Sequence, residues 1–183
     1  PFGHSGEAFL SKMTGRKFRH EVFSIIIAQK IERSGNGLNL TKQVLEGILQ
    51  HSRGANELKT SSTTTAEANI VMYADKIAYI WSDINDLFTS SRVGFGLKNY
   101  PKLNEAIDWF GNSQRERIHC CVKELCIESA EKKQISFADS EAAQRFAEIK
   151  KMMYEVYPLA NCDSINESDL IKVYEFLERT VKG

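Results

Sequence analysis

An all-α fold is what this sequence predicts, and three observations carry that reading. Apolar residues recur at helical spacing along most of the chain, no alternating pattern of useful length suggests a strand, and helix-start signals stand before the periodic segments. With 183 residues, 42% hydrophobic and 26% charged, the chain can bury one good core, or one core with a small appended unit.

The elements follow in order. Pro1-Phe2-Gly3-His4-Ser5-Gly6-Glu7 reads as a loop entering a helix, not as a native amino terminus, so the sequence is expected to be a piece of a longer protein. Phe18 to Arg33 carries apolar residues at 18, 22, 23, 25, 26, 27, 28 and 31, too many for a surface stripe, which predicts a central helix. Ser34-Gly35-Asn36-Gly37 stops it. Thr41 caps a shorter helix through Val44, Leu45, Ile48 and Leu49 that closes near His51-Ser52-Arg53-Gly54. Ala55 to Thr65 is polar and reads as a loop. Thr64-x-x-Glu67 is a capping box for a long helix, Glu67 to Phe88. Thr89 to Gly96 and Asn99-Tyr100-Pro101 break the chain before a short helix, Leu103 to Phe110, ended by Gly111-Asn112. Ser113-x-x-Glu116 is a second capping box, opening a helix to about Lys133. A helix from about Ser140 to Tyr157 stops at Pro158, and Asn166 or Ser168 begins the last. A division into 1–112 and 113–183 is expected.

Composition excludes several classes. The 24 Lys and Arg balance the 24 Asp and Glu, so no global field favours nucleic acid, membrane or an acidic partner, and any anionic ligand must be held locally. Runs such as Val22 to Ala28 are far short of a membrane span, and no secretory leader opens the sequence, so it reads as cytoplasmic. Cys120, Cys121, Cys126 and Cys162 have neither metal-site spacing nor disulfide density, which predicts buried reduced thiols.

The chemistry concentrates on the long helix. It is apolar almost all round, yet Asp75, Tyr79, Ser82, Asp83 and Asp86 fall within an arc of about 100°. A buried carboxylate needs a partner, so the stripe reads as the wall of a site, against the alternative of a solvent-facing edge. Asp75 offers an oxygen ligand to a hard cation, Lys76 an ammonium for phosphate, Tyr79 a ring to pack on a sugar, and Asp83 an acceptor for hydroxyl protons. That set suits a phosphorylated sugar. His4 and Glu7, three apart at a helix start, and the adjacent His20 and Glu21 are raw material for acid–base work. Arg115, Arg117 and His119 read as a solvated basic first turn.

These segments resemble a known family. Pro1 to Glu7, Phe18-Arg19-His20-Glu21, Gly37 to Thr41, Glu46 to Ser52, and Ala74-Asp75-Lys76-Ile77-Ala78-Tyr79 through Asp83-Ile84-Asn85-Asp86 are similar, in order and spacing, to the HD-domain dNTP triphosphohydrolases, often called dGTPases. Arg117 to Ser129 and Lys150 to Tyr157 look like the helical region that follows the HD core in that family. The resemblance implies an HD helical bundle with an appended helical region. It also implies metal-dependent hydrolysis of a deoxynucleoside triphosphate to deoxynucleoside and triphosphate. By the same resemblance Asp75 is a metal ligand, His4, Glu7, His20 and Glu21 are the catalytic set, and Lys76, Tyr79 and Asp83 bind substrate. The implied cofactor is a divalent ion, Mg²⁺ or Mn²⁺ or another transition metal. The implied partners are a dNTP and further copies of the chain, with no membrane; nucleic acid is left unassigned.

Two departures matter. The family's His-Asp pair and a further His precede the segment matching Pro1, so this sequence holds one of four expected metal ligands and is expected to be inactive by itself. Glu21 stands where many bacterial members carry Asn, and Trp81-Ser82 replaces a more polar pair, which leaves the preferred base open. The competing readings are a non-catalytic nucleotide-binding or regulatory module, and an HD phosphohydrolase acting on monophosphates or cyclic nucleotides.

Overall fold

One long helix, rich in apolar residues at every turn, organises the molecule. The structure, a computed structural model, describes residues 3–52, 60, 64–89, 96–159 and 167–182, without the side chains of 3–5, 89, 158, 167, 181 and 182. In chain order the helices are α1 (Gly3–Thr14), α2 (His20–Ile26), α3 (Lys42–Gln50), α4 (Ala66–Thr89), α5 (Pro101–Asp108), α6 (Gln114–Lys132), α7 (Glu141–Val156) and α8 (Glu167–Lys182), with no strand among the described residues. The fold is all-α.

The core forms where α4 meets α5, α6 and α7. Met72, Tyr73, Ile77, Ile80, Trp81, Ile84 and Leu87 recur at helical spacing on α4, all buried. They pack with Leu103 and Ile107 of α5, Cys121 of α6, and Phe146, Ile149 and Met153 of α7. Trp81 sits at the centre, its ring edge-on to Phe110 at 5.1 Å and its Nε1–H donating to Cys121 Sγ at 3.4 Å. Burial pushes the Cys121 thiol up to about 12, so it is an inert core thiol. Cys120 is only half-buried and Cys126 is exposed, which corrects the expectation of uniformly buried thiols; Cys162 lies outside the described residues. The core is continuous across residue 112, since Trp81 and Phe110 touch the same cluster as Cys121 and Phe146.

Local signals place most helix ends. Thr41, Ser113 and Ser140 accept from the amides of Val44, Glu116 and Ala143, and Ser113 with Glu116 completes a capping box. The start of α4 differs by one residue from expectation. Thr65, not Thr64, accepts from the Ala68 amide, because Glu46 of α3 takes the Thr65 N–H at 3.2 Å and fixes the entry from outside the helix. The breaks expected within 53–63 and 90–95 lie outside the described residues.

The segment expected to be a central helix is not central. α2 passes into a π-helical turn, Ile27–Ile31, and only Glu21 and Ala28 are buried along it, while Phe23, Ile26 and Ile31 are exposed. Its main packing partner is α3, and one neighbour covers one face whatever the composition. The turn ends at Gly37, with φ +71, whose amide donates to Glu32 O at 2.8 Å. A Cβ there would lie 2.2 Å from Gln29 O, so only glycine fits. At the other end of the chain α8 returns to α1, with Tyr174 edge-on to Phe9 at 6.1 Å. No helix among the described residues is long and apolar enough to cross a membrane.

Candidate active site

The residues expected from sequence fall into two groups. The first lies where α1 and the start of α2 meet the end of α3, around a cleft of about 940 Å³ lined by Glu7, Ser11, Arg19, His20, Glu21 and Gln50, among others. That volume suits a small-molecule ligand. Glu7 projects from α1 and reaches across 13 residues to the first residue of α2: its Oε1 accepts from the His20 amide at 2.9 Å and meets His20 Nδ1 at 3.0 Å. The other ring nitrogen, Nε2, is 3.1 Å from His51 Nε2, and His51 Nδ1 is 2.7 Å from Ile48 O.

Donor logic fixes what this chain of groups holds. A carboxylate and a carbonyl only accept, so Nδ1 of both histidines must donate. A hydrogen bond between the two Nε2 atoms then needs one further proton on one of them. The Glu7–His20–His51 relay is thus a connected path along which a proton can pass between the two Nε2 atoms, with Glu7 and the Ile48 carbonyl holding the rings from the Nδ1 side. Sequence reading missed His51 as a site residue, taking it for part of a helix stop; nothing in local spacing joins positions 20 and 51.

Glu21 is buried beside the relay. Burial pushes its carboxyl up, but its own backbone amide, the Arg19 guanidinium and His20 outweigh that and hold it below its ordinary value. Its Oε1 accepts from Arg19 Nε at 2.5 Å. His4 is on α1, but its side chain is outside the described set. Among the described residues, Glu7, His20 and Glu21 are the group whose ligand atoms lie close enough together, within 4.8 Å, to hold a metal ion. Two carboxylates and an imidazole suit a divalent ion by donor type. In this arrangement, however, Glu7 and His20 bond to each other, and Glu21 is already neutralised by Arg19.

The second group lies on α4. Asp75 is exposed, which corrects the expectation of a carboxylate confined within an apolar helix: the helix leaves Ala74, Asp75, Ala78, Ser82, Asn85 and Asp86 uncovered on one side. Asp75 belongs to no three-ligand group among the described residues, and one carboxylate does not hold a divalent ion against water. Lys76 is buried, at 4% exposure. Tyr79 and Asp83 are half-buried and bonded to α7: Tyr79 and Tyr154 share a hydroxyl–hydroxyl bond at 3.2 Å, and the Tyr157 hydroxyl donates to Asp83 Oδ2 at 2.5 Å. Burial first, then these bonds, push the Tyr79 and Tyr157 phenols far above their ordinary range, so both stay protonated donors. Trp81 faces the core, not the stripe, and touches no open surface.

The basic turn on α6 divides. Arg115 and His119 are exposed as expected, but Arg117 is half-buried, bonds Gly111 O at 2.9 Å and lies 5.8 Å from the Trp81 ring centre, a structural role.

With this geometry in view, similarity to known proteins becomes informative. The chain is 34% identical over 158 residues to a deoxyguanosinetriphosphate triphosphohydrolase-like protein of Clostridium tetani, covering 84% of this chain and 44% of the relative. It is 32% identical over 177 residues to a protein of the same name from Caldanaerobacter subterraneus, covering 97% of this chain and 49% of the relative. The chain belongs to the dGTPase-like HD family. It spans about half the length of the curated relatives it matches. No protein-family model and no solved structure matches it. For this dGTPase-like chain, the two site groups stand on elements that α3 links, α3 packing on both α2 and α4.

Proposed function

We propose that this chain is the part of a dNTP triphosphohydrolase that carries its acid–base relay and its nucleotide-holding helix. The observation that carries the reading is the Glu7–His20–His51 relay, assembled from three helices at the edge of a cleft of ligand size. In the proposed reaction a deoxynucleoside triphosphate is cleaved to deoxynucleoside and triphosphate. His20 moves a proton to or from the reacting oxygen, Glu7 holds its ring by Nδ1, and His51 accepts or returns the proton at Nε2. His4 and Glu21 belong to the same acid–base set. Lys76 offsets phosphate charge, Tyr79 packs on the sugar, and Asp83 accepts the 3'-hydroxyl, exchanging for it the bond from Tyr157.

The divalent ion of this reaction, Mg²⁺ or Mn²⁺, would take one ligand from Asp75 and supplies Lewis-acid polarisation of a phosphate when bound. The roles argued for the protein's own groups do not depend on which ion it is. Assembly into a homo-oligomer belongs to the same proposal.

The test uses the protein encoded by the whole open reading frame. Glu7→Gln keeps the shape of the side chain and removes its charge, and is expected to lower the rate of triphosphate release by about 10²- to 10⁴-fold, the usual worth of general acid–base catalysis. A variant as fast as the parent contradicts the relay.

A further inference from the structure

The contact between His20 and His51 makes an electrostatic demand that the two rings do not meet by themselves. Each is held from its Nδ1 side, His20 donating to Glu7 Oε1 at 3.0 Å and His51 to Ile48 O at 2.7 Å. With the proton of each neutral ring on Nδ1, both Nε2 atoms present bare lone pairs. They face each other at 3.1 Å. Two lone pairs at that distance repel unless a positive charge stands between them. In the relay that charge is a proton, and a metal ion meets the same demand.

The geometry points to one class of ion. Zinc–imidazole bonds of about 2.0–2.1 Å put two nitrogens about 2.9 Å apart at a right angle and about 3.3 Å apart at the tetrahedral angle, and the observed 3.1 Å falls between. The ring centroids are 5.1 Å apart, closer than two rings set end to end across that gap, so the rings approach at a bend, as two ligands of one ion do. An Nδ1–H donated to a carboxylate or a backbone carbonyl is the usual support of a metal-bound imidazole, and Glu7 and Ile48 supply one of each. Imidazole nitrogen suits zinc, nickel and copper, whereas magnesium takes oxygen. His20 lines the cleft with its side chain 39% exposed, which leaves room for water at the remaining positions.

We infer that His20 and His51 form a two-histidine chelate for a zinc-class transition-metal ion, which takes the place of the relay's proton and ties the start of α2 to the end of α3. On binding, the proton between the Nε2 atoms leaves to solvent and two nitrogen–metal bonds form. The ion occupies the Nε2 lone pair of His20 and so inhibits proton transfer; the inhibition rests on the function proposed above, the chelate does not.

The probe is zinc chloride, titrated calorimetrically with Mg²⁺ in excess into the protein of the whole open reading frame. The same titration is run on Asp75→Ala, which lacks the ligand proposed for Mg²⁺ or Mn²⁺, and on that variant carrying His51→Gln or His20→Gln, with a metal-free thermal melt of each. The parent and Asp75→Ala should share a zinc site. Either histidine substitution should weaken it by at least the about ten- to hundredfold that loss of a ligand's supporting partner costs. Zinc uptake unchanged by both substitutions overturns the inference. So does a site lost with His20→Gln but kept with His51→Gln, which would put the ion on Glu7, His20 and Glu21. A parent that binds zinc through both histidines but releases no triphosphate from a dNTP defeats the proposed reaction and leaves the chelate standing. A parent that releases triphosphate but holds zinc equally well without His51 does the reverse.

Discussion

Glu128 is the residue whose surroundings are most completely determined. Burial pushes its carboxyl up, but the Lys132 ammonium, the Ser136 hydroxyl and the amides of Ser140 and Ala138 outweigh that and hold it well below its ordinary value of 4.5. The carboxylate closes the loop between α6 and α7 and satisfies amides ahead of α7. Glu128→Ala leaves those amides and the Ser136 hydroxyl without their acceptor, while Lys132 keeps Asp139, and chemical denaturation should register a loss of about 3–5 kcal/mol. Because the folded-state value is depressed, the contribution is complete above about pH 4.5 and disappears as pH falls further. The parent's stability advantage over Glu128→Ala should therefore shrink from pH 5 downward. An advantage that is constant with pH would mean the charge is not what matters. His51 makes a second prediction at this scale. Its contact is with His20, so His51→Ala should lower kcat by about 10²-fold with KM held, the low end of the range for general acid–base groups. A change in KM alone would make it a binding residue.

Elements in this chain are set by local signals where those signals are local. The capping box at Ser113 and Glu116, the Ser140 cap and the Thr41 cap stand where sequence puts them, because a side chain three residues from its amide needs no distant partner. Ser113→Ala should cost about 1 kcal/mol, readable in the same denaturation experiment. Gly37 is more demanding, since a Cβ would enter the Gln29 carbonyl; Gly37→Ala should cost about 1–3 kcal/mol, and a neutral result would show that the loop relaxes freely. Tertiary context decided what spacing could not. Composition made Phe18 to Arg33 look central, yet which helix has neighbours on several sides is a property of the assembled chain, and α4 has them. Asp75 looked confined by apolar residues on its own helix, but those residues face elsewhere. Glu7 and His20 were both acid–base candidates, but sequence paired Glu7 with His4 and His20 with Glu21; the bond between Glu7 and His20, across 13 residues, needed the fold. The pairing of His20 with His51, and of Asp83 with Tyr157 across 74 residues, needed the fold.

For the molecule as a whole, the division of labour follows the packing. α4 puts one face into the core with α5, α6 and α7 and leaves the other, with Asp75 on it, uncovered, while α3 joins it to the relay on α1 and α2. The core thus carries the wall proposed for the nucleotide, and the less deeply packed helices carry the groups proposed for acid–base work. We propose that these parts serve triphosphate release from a deoxynucleotide. The most direct measurement incubates the protein of the whole open reading frame with each of the four dNTPs and Mg²⁺ or Mn²⁺, and identifies the phosphate product by ion chromatography. Intact triphosphate alongside free deoxynucleoside is the expected result. Orthophosphate as the product, or saturable dNTP binding with no product at all, would contradict it.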